Sequence, residues 1–236
     1  MKNDFSGMLL FDKPKSITSF KAVNKIRKIL NIKKAGHCGT LDPAATGLLL
    51  ILTGKATKLQ RKFMKRDKVY LSSFLLGTTT DSGDLDGTII EQKEVKDINI
   101  KEIKNALNVF KGEIEQIPPM YCALKYKGKK LYELARKGII VERKPRKVTI
   151  KDIEVLSFSD NILKVRVSCS SGTYIRSLAE DIGNFLGSGA VVSELRREKI
   201  GDFRVEDALK MEDLVNVEKI ISGLINMEKL QADDEK

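Results

Sequence analysis

A chain of 236 residues, 42% of them hydrophobic, is long and apolar enough to bury a sizeable core, which excludes a disordered tail. The longest apolar run, Leu48–Leu52, falls far short of the roughly 20 residues that span a bilayer, and Met1-Lys2-Asn3-Asp4 opens no signal-peptide pattern, so a cytoplasmic protein is expected. The formal charge of +11 calls for a polyanionic partner, nucleic acid before an acidic lipid surface, while one histidine and three scattered cysteines (Cys38, Cys122, Cys169) argue against a zinc site or a disulfide framework.

In chain order, Met8–Phe11 reads as a buried strand that delivers the chain to Asp12-Lys13-Pro14. Thr18 or Ser19 can cap a helix whose apolar face is Val23, Ile26, Ile29 and Leu30 and whose other face carries Lys21, Lys25 and Lys28. A Gly-rich polar stretch, Ala35–Gly47, leads into the strand Leu48–Leu52. Lys68–Leu76 is the next strand, Asp84–Gly87 a hairpin turn, and Ile103, Leu107 and Phe110 mark an amphipathic helix. Around Lys130–Lys137 a short helix ends at Gly138. Val148–Phe158 and Ile162–Cys169 form a hairpin about Ser159-Asp160-Asn161, with Leu163, Val165, Val167 and Cys169 on its buried face. A helix from Tyr174 to Leu186 buries Leu178, Ile182 and Phe185 and stops at Gly187. Val191–Val205 is a strand region, and the remainder is helical with a charged, frayed end. Hairpin-joined strands with interspersed helices predict an α+β fold.

The positive charge is segregated. Lys13–Lys34 holds eight basic residues and no acidic one, Lys55–Lys68 seven against Asp67, and Lys125–Lys147 ten against Glu133 and Glu142. Across residues 118–147, Tyr121, Tyr126 and Tyr132 interleave with the basic residues, a composition suited to RNA. The Asp-rich loop Asp81–Gly87 lacks the spacing and terminal Glu of a calcium loop.

The segment that carries chemistry is Gly36-His37-Cys38-Gly39-Thr40-Leu41-Asp42-Pro43-Ala44-Ala45-Thr46-Gly47. Its three glycines admit close backbone approach, and Pro43 biases Asp42 toward an extended conformation, a stiff mount for a carboxylate that must be aimed. On residue types alone, an Asp-Pro in such a loop is more often a turn than an active site. His37 and Cys38 are neighbours in an extended loop and point apart, so they make no thiol–imidazole dyad.

This stretch resembles the motif of the TruB family of tRNA pseudouridine synthases, Gly-His-x-Gly-x-Leu-Asp-Pro-x-Ala-Thr-Gly. Further blocks similar to that family follow in its order: Leu10–Pro14, Lys68-Val69-Tyr70, Pro119–Gly128, Gly172–Arg176 and Glu194–Arg197, so the likeness covers residues 8–205. The resemblance implies a pseudouridine-synthase fold with a mixed, mostly antiparallel central sheet. It also implies isomerisation of uridine-55 in the T loop of tRNA, in which the base is flipped out, the bond from ribose C1′ to N1 breaks and C1′ is rejoined to C5, with no cofactor and no metal. By position Asp42 matches the family's catalytic aspartate, Tyr70 its stacking aromatic, and His37 and Tyr174 its contacts to the target nucleotide. Arg176 matches the arginine paired with the carboxylate and Leu195 an apolar wall of the pocket. Residues 1–236 are then expected to be one catalytic, monomeric domain with an RNA-binding thumb over about 119–147 and with the C-terminal PUA domain of many relatives absent or vestigial.

Three readings compete with this one. A guide-RNA-dependent pseudouridine synthase shares the aspartate loop, but its relatives carry Lys-Val where Ala44-Ala45 stand here. An RNA-binding or tRNA-folding protein would need no intact aspartate loop. A Cys-dependent uridine methyltransferase would need a Gly-rich cofactor loop near the start. The residues leave open whether Asp42 attacks C1′, attacks C6 or acts through a glycal, and whether Tyr70 also takes the C5 proton.

Overall fold

The computed structural model describes residues 5–96 and 98–232. In chain order it runs β1 (Gly7–Lys13), α1 (Ser19–Ile29), β2 (Ala35–His37), β3 (Thr46–Thr53), α2 (Gln60–Met64) and β4 (Lys68–Leu76). Next come β5 (Thr78–Thr80), β6 (Ile89–Gln92), α3 (Ile100–Val109), β7 (Gly112–Gln116), β8 (Lys125–Tyr126), β9 (Lys129–Lys130) and α4 (Leu131–Ala135). The chain continues through β10 (Arg146–Ser159), β11 (Ile162–Cys169), α5 (Ile175–Phe185), β12 (Ala190–Ile200), β13 (Phe203–Arg204), α6 (Val217–Ser222), β14 (Ile225–Asn226) and α7 (Met227–Ala232). It divides into two compact units, one holding residues up to Val69 and from Arg196 onward, the other Tyr70–Leu195.

In the first unit β3 is the organising strand. It pairs antiparallel with β1 from Gly7↔Thr53 to Lys13↔Gly47, and its other edge is shared. Ala35–His37 of β2 takes Ile51–Thr53 antiparallel, and Arg196 and Arg197 of β12 take Thr46 and Gly47 in parallel. Because side chains alternate across a strand, Met8, Leu10, Leu48, Leu50 and Leu52 enter one core and Leu9, Phe11, Leu49 and Ile51 the other. Burial on both faces is why Leu48–Leu52 reads as an unbroken apolar run rather than an alternating one. α1 covers the second core with Ala22, Val23 and Ile26, and Thr18 caps it by accepting from the Lys21 amide. Phe63 of α2 fills the first core with Ile200 and Val205.

The second unit has strand order β12-β4-β11-β10-β7. The β10–β11 hairpin closes at Ser159↔Ile162 and carries two bulges, at Ile150/Asp152 and Val155/Ser157, which bend its long first strand. Leu163, Val165, Val167 and Cys169 are fully buried, as the alternation predicts. The sheet is therefore mixed but mostly antiparallel and the fold is α+β, as expected.

Four differences from the sequence reading have physical causes. Ala35–His37 is a strand, since β3 offers it a free edge. Phe185 ends α5 with 55% of its surface exposed and meets the Phe110 ring edge-on, 6.1 Å away, instead of entering the core. The C-terminal region is not wholly helical: Ile225–Asn226 adds an edge strand to β1. Lys13 and Lys68, counted with the solvent-facing charge, are buried. The frayed end expected beyond Ala232 lies outside the described residues. Among the described residues no helix is long and apolar enough to cross a membrane.

Candidate active site

The loop from Cys38 to Ala45 carries Asp42 from the end of β2 to the start of β3, and it is braced at almost every residue. Cys38 N–H donates to Leu50 O (2.9 Å), fixing the exit from β2. Ser19, in the first turn of α1, both accepts from Leu41 N–H (2.9 Å) and donates to Leu41 O (3.0 Å). On the other side of Asp42, Pro43 O accepts from Ser16 N–H (2.9 Å) and from Lys13 Nζ (3.3 Å). Ala45 N–H closes a turn onto Asp42 O at 3.1 Å. The main chain on both sides of the half-buried carboxylate is thus tied to β1 and α1, which limits the arc through which it can move.

Two buried cations complete the brace. Lys13, fully buried at the end of β1, spends its ammonium on the carbonyls of Pro14, Ile17 and Pro43. Burial pushes its pKa down to about 8, the Asp42 carboxylate pulls it back up, and Arg197 adds to the depression. Arg197 reaches from β12 to donate to Leu48 O (2.7 Å) and Gly39 O (3.1 Å), clasping both limbs of the loop. Close approach is possible because residue 47 is glycine. Its φ is +103°, and a methyl group there would stand 2.7 Å from the Arg197 amide nitrogen and still nearer its carbonyl oxygen. Next to it Arg196 makes a two-pronged pair with Asp12, 3.0 and 2.7 Å, tying β12 to β1.

His37, the last residue of β2, is half-buried and its main-chain oxygen accepts from Gln60 Nε2 (2.8 Å). Burial first, and Arg197 second, lower its pKa, so the ring is neutral at pH 7 and can donate or accept a hydrogen bond. The Cys38 thiol is buried and pushed up to about 12, an inert filler.

In the second unit, Tyr70 is buried in β4, and half-buried Leu195 lies on the neighbouring strand β12. Tyr174 immediately precedes α5, and the Gln116 amide clasps its main chain, donating to its oxygen (3.1 Å) and accepting from its N–H (2.9 Å). Its hydroxyl is held above the ordinary tyrosine pKa, mainly by burial and then by the Cys122 thiol. Arg176, in the first turn of α5, is buried rather than displayed to solvent. It donates to Ser82 O and Tyr121 O, both at 2.7 Å, and stands 3.6 Å from the Asp84 carboxylate. Asp84 was visible in the sequence only as part of an acidic loop; Ser82 Oγ at 2.5 Å and the Asp86 amide at 3.2 Å fix it toward the guanidinium.

The structure puts Asp42 on a braced loop and His37 at the end of the strand that leads into it, brings Tyr174 and Arg176 to one helix start, and sets Tyr70 and Leu195 on adjacent strands. Sequence reasoning missed the residues that hold them: Lys13, Ser19, Arg197, Gln116 and Asp84. The signal for Arg197 was its place in the Glu194–Arg197 block, and Lys13 stood beside Pro14 in another.

Comparison with known proteins places the chain in a family. A family model described as TruB family pseudouridylate synthase (N terminal domain) matches residues 27–175, and one for the C-terminal domain of tRNA pseudouridylate synthase B matches residues 176–231. The chain belongs to the TruB family of pseudouridylate synthases. It is 66% identical over 94% of its length to tRNA pseudouridine synthase B of Endomicrobium trichonymphae, of which it covers 97%. It is 48% identical over 95% of its length to the protein of that name from Clostridium tetani, of which it covers 77%. Among solved structures it resembles a chain of a Cbf5-Nop10-Gar1 complex, at 32% identity and a TM-score of 0.74 over 94% of this chain. A chain of an H/ACA RNP bound to a substrate RNA containing 2′-deoxyuridine gives 30% and 0.71. The chain spans 60% of the length of each of those two neighbours.

Proposed function

We propose that this chain converts uridine-55 in the T loop of tRNA to pseudouridine, with Asp42 as the catalytic carboxylate. The observation that carries the reading is the loop around Asp42. Leu41, Pro43 and Ala45 are hydrogen-bonded in place, so the carboxylate is aimed before substrate arrives. The names of the 66% and 48% identical relatives support tRNA as the substrate. Their identity to the chain, well above that of the Cbf5-type neighbour, favours a stand-alone enzyme over a guide-RNA-dependent one.

The reaction is an isomerisation that needs no redox or energy input. The bond from C1′ to N1 breaks, C1′ bonds to C5, the proton on C5 leaves and N1 takes one up. Asp42 initiates it as an ionised carboxylate. Arg176 pairs with that carboxylate in the reacting complex and keeps it charged as water is excluded. Extracting the base costs a few kcal/mol, which stacking on Tyr70, contacts from His37 and Tyr174 and the apolar wall at Leu195 return. Residues 119–147 act as a thumb that closes over the RNA arm. The enzyme works as a monomer in the cytoplasm.

Tritium release tests this directly, because the C5 hydrogen is lost to water only when product forms. A T-arm transcript carrying 5-tritiated uridine at the target position is expected to release label with the parent and none with Asp42→Asn at equal RNA binding. Release at the parental rate by the variant would overturn the role of Asp42.

A further inference from the structure

Helix α1 presents a feature the proposed chemistry does not use. Phe20, its second residue, is 69% exposed. Among the described residues Phe20 and Phe185 are the two exposed phenylalanines; Phe185 rests edge-on against Phe110, whereas no ring touches Phe20. Its position is fixed close to the chemistry. Ser19, the preceding residue, is hydrogen-bonded in both directions to Leu41, and Ser16 to Pro43, so the start of α1 is anchored to the residues either side of Asp42.

Helical spacing aligns Phe20 with Asn24 and Arg27, at i, i+4 and i+7, along one edge of α1 over about 10 Å. Asn24 is half-buried and Arg27 exposed. This edge is distinct from the one bearing Lys25, whose ammonium lies against Met211 Sδ (3.1 Å). No carboxylate occurs from Lys13 to Lys34, and Lys15 and Lys21, on either side of Phe20 in the chain, are both exposed. A bare aromatic face, an amide and a guanidinium in one row, in an acid-free basic segment, is the combination that takes a single-stranded nucleotide: the ring stacks on its base, the cations hold its phosphates.

We propose that the Phe20–Asn24–Arg27 edge of α1 is a second RNA subsite, on which an unpaired base of the substrate next to the target uridine stacks against Phe20 while Arg27 holds its backbone. This rests on RNA being the substrate, and it adds a contact that none of the matched blocks supplies.

The chain contains no tryptophan, so Phe20→Trp introduces a single fluorescent reporter at the proposed platform. Its emission is expected to be quenched by an unmodified T-arm stem-loop and not by a blunt RNA duplex of the same stem. Stacking requires a π-face, so Phe20→Tyr and Phe20→Trp should keep the parental KM, while Phe20→Ala and Phe20→Leu should raise it roughly 5- to 100-fold with kcat little changed. Arg27→Ala should flatten the salt dependence of binding by about one phosphate contact. Because Phe20 is exposed, each variant should melt at the parental temperature, which separates a lost contact from a lost fold. Parental KM in Phe20→Leu, or tryptophan emission indifferent to the stem-loop, would overturn the subsite while leaving the main reading intact. A parent that releases no tritium from the stem-loop would overturn the main reading and the subsite with it.

Discussion

Lys13 is placed to support the proposed site through the main chain, not through its surface. Its ammonium is enclosed at the end of β1 and satisfies three carbonyls, among them that of Pro43 next to Asp42, the proposed catalytic carboxylate. Burial outweighs the attraction of Asp42, so its folded pKa is about 8 against 10.5 in the unfolded chain. Between those two values the unfolded chain holds a proton that the folded chain lacks, and stability from this group rises with pH there. Below pH 8 both states are protonated and the slope vanishes. The full window corresponds to roughly 3 kcal/mol. Urea titrations of the parent and of Lys13→Met at pH 7.5, 8.5 and 9.5 should show the parent gaining stability on the variant as pH rises. Parallel curves would mean that the ammonium is not desolvated. The variant also leaves the Pro43 carbonyl with one donor fewer, so its kcat at pH 7.5 should fall about 10-fold while KM moves less, the signature of a misaimed carboxylate.

At the scale of elements, the insert between β7 and β10 is the proposed thumb, and its packing is thin. Its packing centre consists of Met120, Cys122, Leu131 and Leu134, with Tyr174 against them. Beyond it, β8 and β9 are two residues each, turned through Lys127 and Gly128, which both have positive φ, as a tight hairpin demands. Ile140 is 80% exposed, and Lys125, Lys127 and Lys129 extend into solvent. Few buried contacts mean a small free energy of local opening. Amides within 119–147 should therefore exchange quickly in the free protein and be protected when a T-arm stem-loop binds. Equal protection in both states would refute a closing thumb. Elements of this kind were legible in the sequence to differing degrees. The β10–β11 hairpin and α3 were written in local periodicity, and the Asp42 loop in its glycines and proline. Lys13 was not, because a lysine in an acid-free run looks solvated until a carbonyl thirty residues away arrives to meet it. Neither was β14, since a two-residue strand has no period to detect, nor the exposure of Phe185, which shares helical spacing with the buried Leu178 and Ile182 but sits where the helix runs past its cover.

For the whole molecule, the net charge of +11 acquires a sharper meaning once burial is known. Lys13, Lys68, Arg176 and Arg197 are inside, engaged with main-chain carbonyls, so they add nothing to the exposed RNA-binding field. Three acid-poor segments still hold much of what remains outside: Lys15 to Lys34, Lys55 to Lys65, and Lys125 to Lys147. Affinity that comes from such segments is counterion release, and each phosphate engaged contributes a slope of about −0.7 to −0.9 in log K against log salt. If the three segments together engage about six phosphates, binding of a T-arm stem-loop should weaken by about a thousandfold between 50 and 200 mM salt. Neutralising the exposed pair Lys125→Gln and Lys127→Gln should cut the slope by up to two contacts' worth. Substituting the buried pair Lys13 and Arg197 should leave the slope unchanged even where it destroys turnover. Fluorescence titrations over a salt series measure both slopes. A flat salt dependence in the parent would mean that base contacts in the pocket, and not the exposed lysines, hold the RNA.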